Sequence, residues 1–265
     1  MPPPAWNKWL GRKGTWRLQR RILPDLRWNQ EIWGEIIKWH LAQPVRWLDS
    51  GCGWRLLAKD LEPLENELVG LARTLVGADV DLSHLRKHLN ICHRTCASLA
   101  ALPFSNASFD LITCNMVVEH LPDPLPIFQE ISRVLAPGGV LLVHTPNSRN
   151  YLVFANIVAK KILPRSLILK LVKDGRESDD IYPTYYRAND EETLRALGES
   201  AELQSESVRF LSHPHPYSRF FAPAAFFELL LMRSLMTRPL ARFSATILMV
   251  YRKPLRESAR VAYAA

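Results

Sequence analysis

The chain has 265 residues, 48% of them hydrophobic, and its 34 Lys and Arg against 26 Asp and Glu give a net charge of +8. That size and apolar content suit one large core with room for a small appended part. Four irregularly spaced cysteines (Cys52, Cys92, Cys96, Cys114) exclude a disulfide framework, and Cys92 and Cys96 lack the second ligand pair a zinc site needs, so reducing, cytoplasmic surroundings and no metal are expected.

Residues 1–44 read as a basic, Trp-rich arm and a leading helix. The first 46 residues hold nine Lys or Arg against three acids and six of the eight tryptophans. Lys8, Trp9, Arg12 and Lys13 interrupt any signal-peptide core. The mixture of cations and indoles suits peripheral contact with an anionic membrane surface, and nucleic acid is the lesser alternative. Ile32, Trp33, Ile36 and Ile37 recur at helical spacing over 29–42, and Pro44 stops that helix. Then 45–49 reads as a buried strand and 50–53 as a tight turn. A helix is predicted over 54–72, a second strand over 75–79, a short helix over 83–89, a weaker third strand within 96–105 and a fourth strand over 109–114. An amphipathic helix over 125–135 is closed by Pro137-Gly138-Gly139, and a fifth strand follows at 140–143.

Beyond Asn147 the pattern loosens. An insertion over about 150–188 carries Lys160, Lys161, Arg165, Lys170 and Lys173, then Glu177 to Asp180, and is expected to form a helical lid after strand five. Helices over 191–198 and 223–235 and strands over 206–211 and 245–251 complete a domain spanning 45–253, and 254–265 is expected to be a disordered tail. The apolar window 220–236 is too short and too charged to cross a bilayer. Strand–helix alternation with apolar strands predicts an α/β fold, Rossmann-like and doubly wound, with a mostly parallel sheet and helices on both faces. Ligands in such folds sit at the carboxyl ends of the strands.

The turn Leu48-Asp-Ser-Gly-Cys-Gly53 brings backbone N–H groups to a ligand without intervening side chains. Arg55 stands near the place of the third glycine of a dinucleotide fingerprint, which argues against a nicotinamide enzyme. Around this turn stand Val76-Gly-Ala-Asp79, Leu102 to Asp110, Val118-Glu-His-Leu-Pro-Asp-Pro124, Val134 to Gly139 and Thr145-Pro-Asn147. Together, over residues 45–147, they resemble the class I S-adenosylmethionine-dependent methyltransferases, in particular the subgroup related to ubiquinone and menaquinone biosynthesis.

The resemblance implies S-adenosyl-L-methionine as cofactor and methyl transfer to a small-molecule or lipid-like acceptor by in-line displacement. It implies that Gly51 and Gly53 line the methionine and ribose portions and that Asp49 holds the amino group. An acid after strand two takes both ribose hydroxyls. Asp79 fits the motif best, while Asp81 lies on the same face of the chain. Ser98 and Leu99 fall where the family recognises adenine, and Asn115 and Met116 fall against the methionine moiety.

A hydroxyl acceptor calls for a base, for which His120 and His144 are the candidates. Asn147, Tyr186 and Arg187 are nominated for the acceptor pocket, and Asp110 for a structural pairing. His213 and His215 read as part of a stiff Pro-flanked loop. The competing reading is a non-catalytic Rossmann-like binding module whose cofactor site Arg55 and Ser98 have eroded. The absence of an Asn-Pro-Pro-Tyr or Asp-Pro-Pro-Tyr motif counts against methylation of a flipped base.

Overall fold

A computed structural model describes residues 18–162, 182–212 and 222–255. The stretches 163–181 and 256–265, with the basic residues at 165, 170 and 173, the acids at 177–180 and most of the tail, lie outside the described residues. So do the first seventeen residues and the His213–His215 loop.

Helix α1 (Asn29–His40) leads into β1 (Arg46–Ser50), followed by α2 (Glu62–Leu71), β2 (Thr74–Asp79), α3 (Leu82–Lys87), β3 (His93–Cys96) and β4 (Phe109–Asn115). Then come α4 (Pro124–Val134), β5 (Leu135–Pro146), α5 (Tyr151–Ile162), α6 (Glu191–Ser200), β6 (Gln204–Leu211), α7 (Ala222–Leu235) and β7 (Thr246–Arg252). The seven strands form one sheet in the order β3-β2-β1-β4-β5-β7-β6, in which β7 runs opposite to the other six. The order reverses between β1 and β4, which makes that seam the switch point where an α/β sheet opens a crevice.

Alternating strand residues feed two cores. On one face Leu48, Ile112, Leu141 and Met249 meet Phe128 and Ile131 of α4 and Leu194 of α6. On the other, Trp47, Leu111, Leu142 and Leu248 meet Trp33 and Ile37 of α1 and Leu68 of α2. The leading helix is therefore built into the domain core. In α1 only this stripe is buried, and Trp39 on its opposite side is 78% exposed.

Three predicted elements move. The helix expected over 54–72 begins only at Glu62, because Pro63 lacks an N–H and suits the first turn of a helix. The third strand lies upstream, at His93–Cys96, and the following stretch is a loop held by α4. There Arg133 donates to the carbonyls of Leu102 and Phe104, and Glu130 accepts from the Leu102 N–H. Pro137-Gly138-Gly139 does not close α4 by a cap but extends β5 as an irregularity, with Gly138 at φ +78°. Asp110 pairs as expected: its two oxygens take the Arg46 guanidinium at 2.7 and 3.0 Å, tying the start of β4 to β1.

Because Trp33 is 1% exposed, Trp33→Ala should cost about 3–5 kcal/mol in urea unfolding. Trp39→Ala, on the solvent side, should change it by less than about 0.5 kcal/mol.

Candidate active site

The carboxyl ends of five strands deliver the predicted residues to one place: Asp49 and the turn after β1, Asp79 after β2, Ser98 and Leu99 beyond β3, Asn115 and Met116 at β4, and His144 to Asn147 at β5. A cavity of about 310 Å3 lies at the other end of the sheet, lined by His40, Asp110, Gly138 and Arg252. Its charges are already paired, Asp110 with Arg46 and Arg252 with Glu206, so it holds none of this chemistry.

The turn is formed by left-handed glycines. Gly51 has φ +71°, its N–H donates to the Ala78 carbonyl at 2.7 Å, and a Cβ there would meet Val117 at 2.4 Å. Gly53 has φ +53°, and a Cβ there would meet nothing within 4 Å, so its surface faces open space. The Gly53 N–H donates to Asp79 Oδ2 at 2.8 Å, and the Asp81 N–H to Asp79 Oδ1 at 2.8 Å. Each oxygen keeps a lone pair for another donor, which suits a vicinal diol. Asp81 is otherwise engaged: it caps α3 through the N–H groups of Ser83 and His84, and it accepts from the Tyr182 hydroxyl at 2.7 Å. The two acids thus differ in their contacts, a difference that the alternation of a strand cannot reveal. Arg55 folds over the Trp54 ring, 5.2 Å from its centroid, and leaves the glycine corner open.

Asp49 is buried at the seam. The Trp47 indole N–H donates to Thr113 Oγ1 at 2.7 Å, and the Thr113 hydroxyl donates to Asp49 Oδ1 at 2.6 Å. Burial pushes the Asp49 carboxyl up to about 7 against the pull of that hydroxyl, and Asp79 and Glu65 raise it further. A nearby cation would restore its charge.

Beyond β3, the Ser98 hydroxyl oxygen accepts the Ala100 N–H at 3.2 Å and Leu99 is buried, so this corner offers backbone and an apolar wall. Met116 sits at φ +58°, a strained conformation for a side-chain-bearing residue, with its N–H on the His144 carbonyl at 2.8 Å.

His144 is 1% exposed and stacks on Trp33. A directional chain fixes its tautomer: Asn29 Nδ2 donates to Thr246 Oγ1 (2.9 Å), whose hydroxyl donates to His144 Nε2 (3.0 Å). His144 Nδ1–H then donates to Asn115 Oδ1 (2.8 Å). Both ring nitrogens are committed, which corrects the expectation of a catalytic base. His144 instead orients Asn115.

Asn147 is corrected likewise. It is fully buried, its amide donates to the Arg242 and Ser244 carbonyls, and its oxygen accepts from the Arg149 N–H, so it fastens the loop after β5 from the interior and presents no surface to a substrate.

His120 keeps a base. Its Nδ1–H donates to the Pro183 carbonyl at 2.8 Å, which leaves the Nε2 lone pair, 3.9 Å from Glu119 Oε1. Glu119 went unnominated in the sequence, although an acid in the apolar run Val117-Val-Glu-His-Leu121 directly after a strand is a signal of a held carboxylate. It is 4% exposed, burial pushes it up to about 7, and its Oε2 accepts from the Thr145 hydroxyl, which in turn accepts from Asn189 Nδ2.

The segment 182–189 crosses over this cluster. Tyr185 and Tyr186 donate their N–H groups to the Glu119 carbonyl, Tyr186 with φ +52°, while the Tyr182 ring packs edge-on against His84 and His120. Tyr186 is thereby placed beside the acid–histidine pair, and Arg187 is exposed.

The arrangement offers an open glycine corner between two acids, and next to it a histidine–glutamate pair under a tyrosine strap. Its donors and acceptors fit S-adenosylmethionine: Asp49 complements an ammonium, Asp79 a ribose diol, and the Cβ-free corner the chain between them.

The model of the methyltransferase-domain family matches residues 48–143. A ubiquinone biosynthesis O-methyltransferase of Colwellia psychrerythraea is 27% identical over 161 residues, which are 55% of this chain and 63% of that protein. This chain thus covers less than two thirds of the length of that relative. Among solved structures, a SAM-dependent methyltransferase from Methanosarcina mazei superposes with a TM-score of 0.52 at 19% identity, over 83% of this chain and 98% of that one. Geranyl diphosphate C-methyltransferase from Streptomyces coelicolor gives 0.51 at 14% identity, over 89% and 83%. At these identities the two structures establish the fold.

The raised Asp49 carboxyl has a consequence for stability. Its folded value of about 7 lies above its ordinary 3.8, so its favourable contribution is complete below about pH 4 and is lost as pH rises through 7. Asp49→Asn, which cannot ionise, should therefore melt above the parent at pH 8, with the gap narrowing steadily as pH falls through 7 toward 4 in scanning calorimetry.

Proposed function

We propose, starting from a chain whose residues 48–143 form a class I S-adenosylmethionine-dependent methyltransferase domain, that the protein methylates a hydroxyl of a lipid-like acceptor. The observation that carries this reading is the open Gly51–Gly53 corner between the Asp49 and Asp79 carboxylates. In this reading Asp79 takes the ribose hydroxyls, Asp49 the amino group, and Gly51 and Gly53 the methionine and ribose edge. Ser98 and Leu99 form the adenine side, and Asn115 and Met116 border the methionine side. When bound, the sulfonium supplies an activated methyl group that needs only an in-line nucleophile and exclusion of water.

The protein's own residues supply the rest. His120 Nε2 accepts the proton leaving the acceptor hydroxyl, and the Glu119 carboxylate beside it stabilises the resulting imidazolium. The strap 182–186, bonded to the Glu119 carbonyl, shields that transfer from water, and Tyr186 borders the acceptor. An oxygen acceptor of lipid character is supported by the Colwellia relative, whose name specifies O-methylation in ubiquinone biosynthesis. Peripheral contact with an anionic membrane belongs to the same reading: the first 46 residues are strongly basic, and among the described residues no helix is long and apolar enough to cross a bilayer.

Isothermal titration should show saturable cofactor binding that Asp79→Ala weakens by about tenfold or more. Unchanged affinity would remove the ribose assignment. Since Asp49 must ionise to hold an ammonium, affinity should rise with pH between 6 and 8, and Asp49→Asn should flatten that rise. With labelled cofactor and a lipid extract, label should appear as a methyl ether, and the rate should climb through about pH 7 as Glu119 ionises. Glu119→Gln should lower the rate by about 100-fold without weakening cofactor binding.

A further inference from the structure

Helix α7 departs from ordinary amphipathic construction. Its inner stripe, Ala225, Leu229, Met232 and Leu235, is buried, and Leu229 and Met232 pack on Leu23 of the N-terminal arm, with Leu18, Ile22 and Leu26 alongside. The outer face should then be polar. Instead Phe226 and Phe227 are 41% and 68% exposed, Leu230 and Leu231 stand one turn further on, and Met236 and Leu240 continue the apolar surface past the helix end.

The exposed charges of α7 and the turn after it have one sign: over 222–245 they are Arg233, Arg238 and Arg242. The single acid of that stretch, Glu228, is half-buried in the crevice between α7 and the start of α5, beside Tyr151. The arm packed on α7 exposes Arg20 and Arg21 together with Asp25, which keeps the border net cationic. On α5, Phe154 adds another exposed ring.

This surface stands at the carboxyl end of the sheet. The Ser244 hydroxyl donates to the Leu235 carbonyl at the end of α7, and Asn147, in the loop after β5, donates to the carbonyls of Arg242 and Ser244. The apolar face is therefore joined to the loop that follows the acceptor side of the site.

We infer that the outer face of α7, with its cationic border, is a docking surface for the headgroup and upper acyl region of an anionic lipid bilayer. Apolar side chains in contiguous turns, with exposed cations and, among the described residues, no exposed acid on α7 itself, suit a helix lying in that plane, where rings and leucines leave water and guanidinium groups meet phosphates. The inference deepens the reading of a lipid-like acceptor by bringing the site to the phase in which such a molecule resides, but the docking itself does not require methyl transfer.

Co-sedimentation of the full chain with extruded vesicles tests it. With phosphatidylcholine vesicles containing about 30% phosphatidylglycerol, at low salt, the parent should pellet, and raising the salt to about 0.5 M should release much of it. Phe227→Asp combined with Leu231→Asp should lower the apparent partition by about tenfold or more. Both positions are exposed, so the melting temperature should hold, and calorimetric affinity for S-adenosylmethionine should be unchanged, which separates loss of docking from loss of the active site. The inference is overturned if the parent stays in solution with anionic vesicles, if the double variant pellets like the parent, or if neutral vesicles bind equally well. It is also overturned if light scattering shows a dimer of the parent, without lipid, that the double variant dissolves, because a second copy then occupies the face.

Discussion

A carboxylate held in a dry seam sets the terms for this molecule. Asp49 ends β1 at the point where the strand order reverses, and the bonds from Trp47 to Thr113 and from Thr113 to Asp49 bridge β1 and β4 behind it. Burial alone would keep this acid neutral, and the Thr113 hydroxyl offsets only part of that cost. A site that buries an acid without a cation is unfinished, and the neighbouring glycine corner is where a cationic group can complete it.

The same economy of bonds runs across the roof of the site. The chain from Asn29 through Thr246 and His144 to Asn115 joins the leading helix, the antiparallel strand β7 and the end of β4 by side-chain contacts only. Trp33 stacks on the imidazole of that chain, so the packing of α1 against the sheet and the orientation of Asn115 are one arrangement. The leading helix thereby acts on the site through His144, and its burial is part of how the pocket holds its shape.

A second buried acid, Glu119, stands beside the 182–186 segment, whose Tyr185 and Tyr186 N–H groups bond its backbone carbonyl, and Tyr182 anchors that segment to Asp81. The apolar outer face of α7 adjoins this end of the sheet, which gives the catalytic end of the fold two kinds of dry surface, one internal and one turned outward.

In the sequence the sheet was legible from the residues themselves, and the cofactor corner from the family resemblance its motifs carry. Apolar runs bounded by Pro and Gly located most strands, and the glycine turn and the acids at the first two strand ends were legible as a motif whose roles came from the family resemblance, since their bonds join residues 26 apart. It misplaced the start of α2, where Pro63 opens a helix, and the third strand, whose exposed His93 and Arg94 lack an apolar pattern. Tertiary structure decided the rest, because the remaining roles depend on partners far along the chain. Asp79 parts from Asp81 through Gly53 and Tyr182, His144 is spent on Thr246 a hundred residues away, and Asn147 is spent on the turn before β7. Glu119 becomes a partner for the proposed base His120 only when Thr145, His120 and the strap close around it. A side chain's chemistry is written in the sequence, but its solvation and its hydrogen-bond partners are set by what the fold brings beside it.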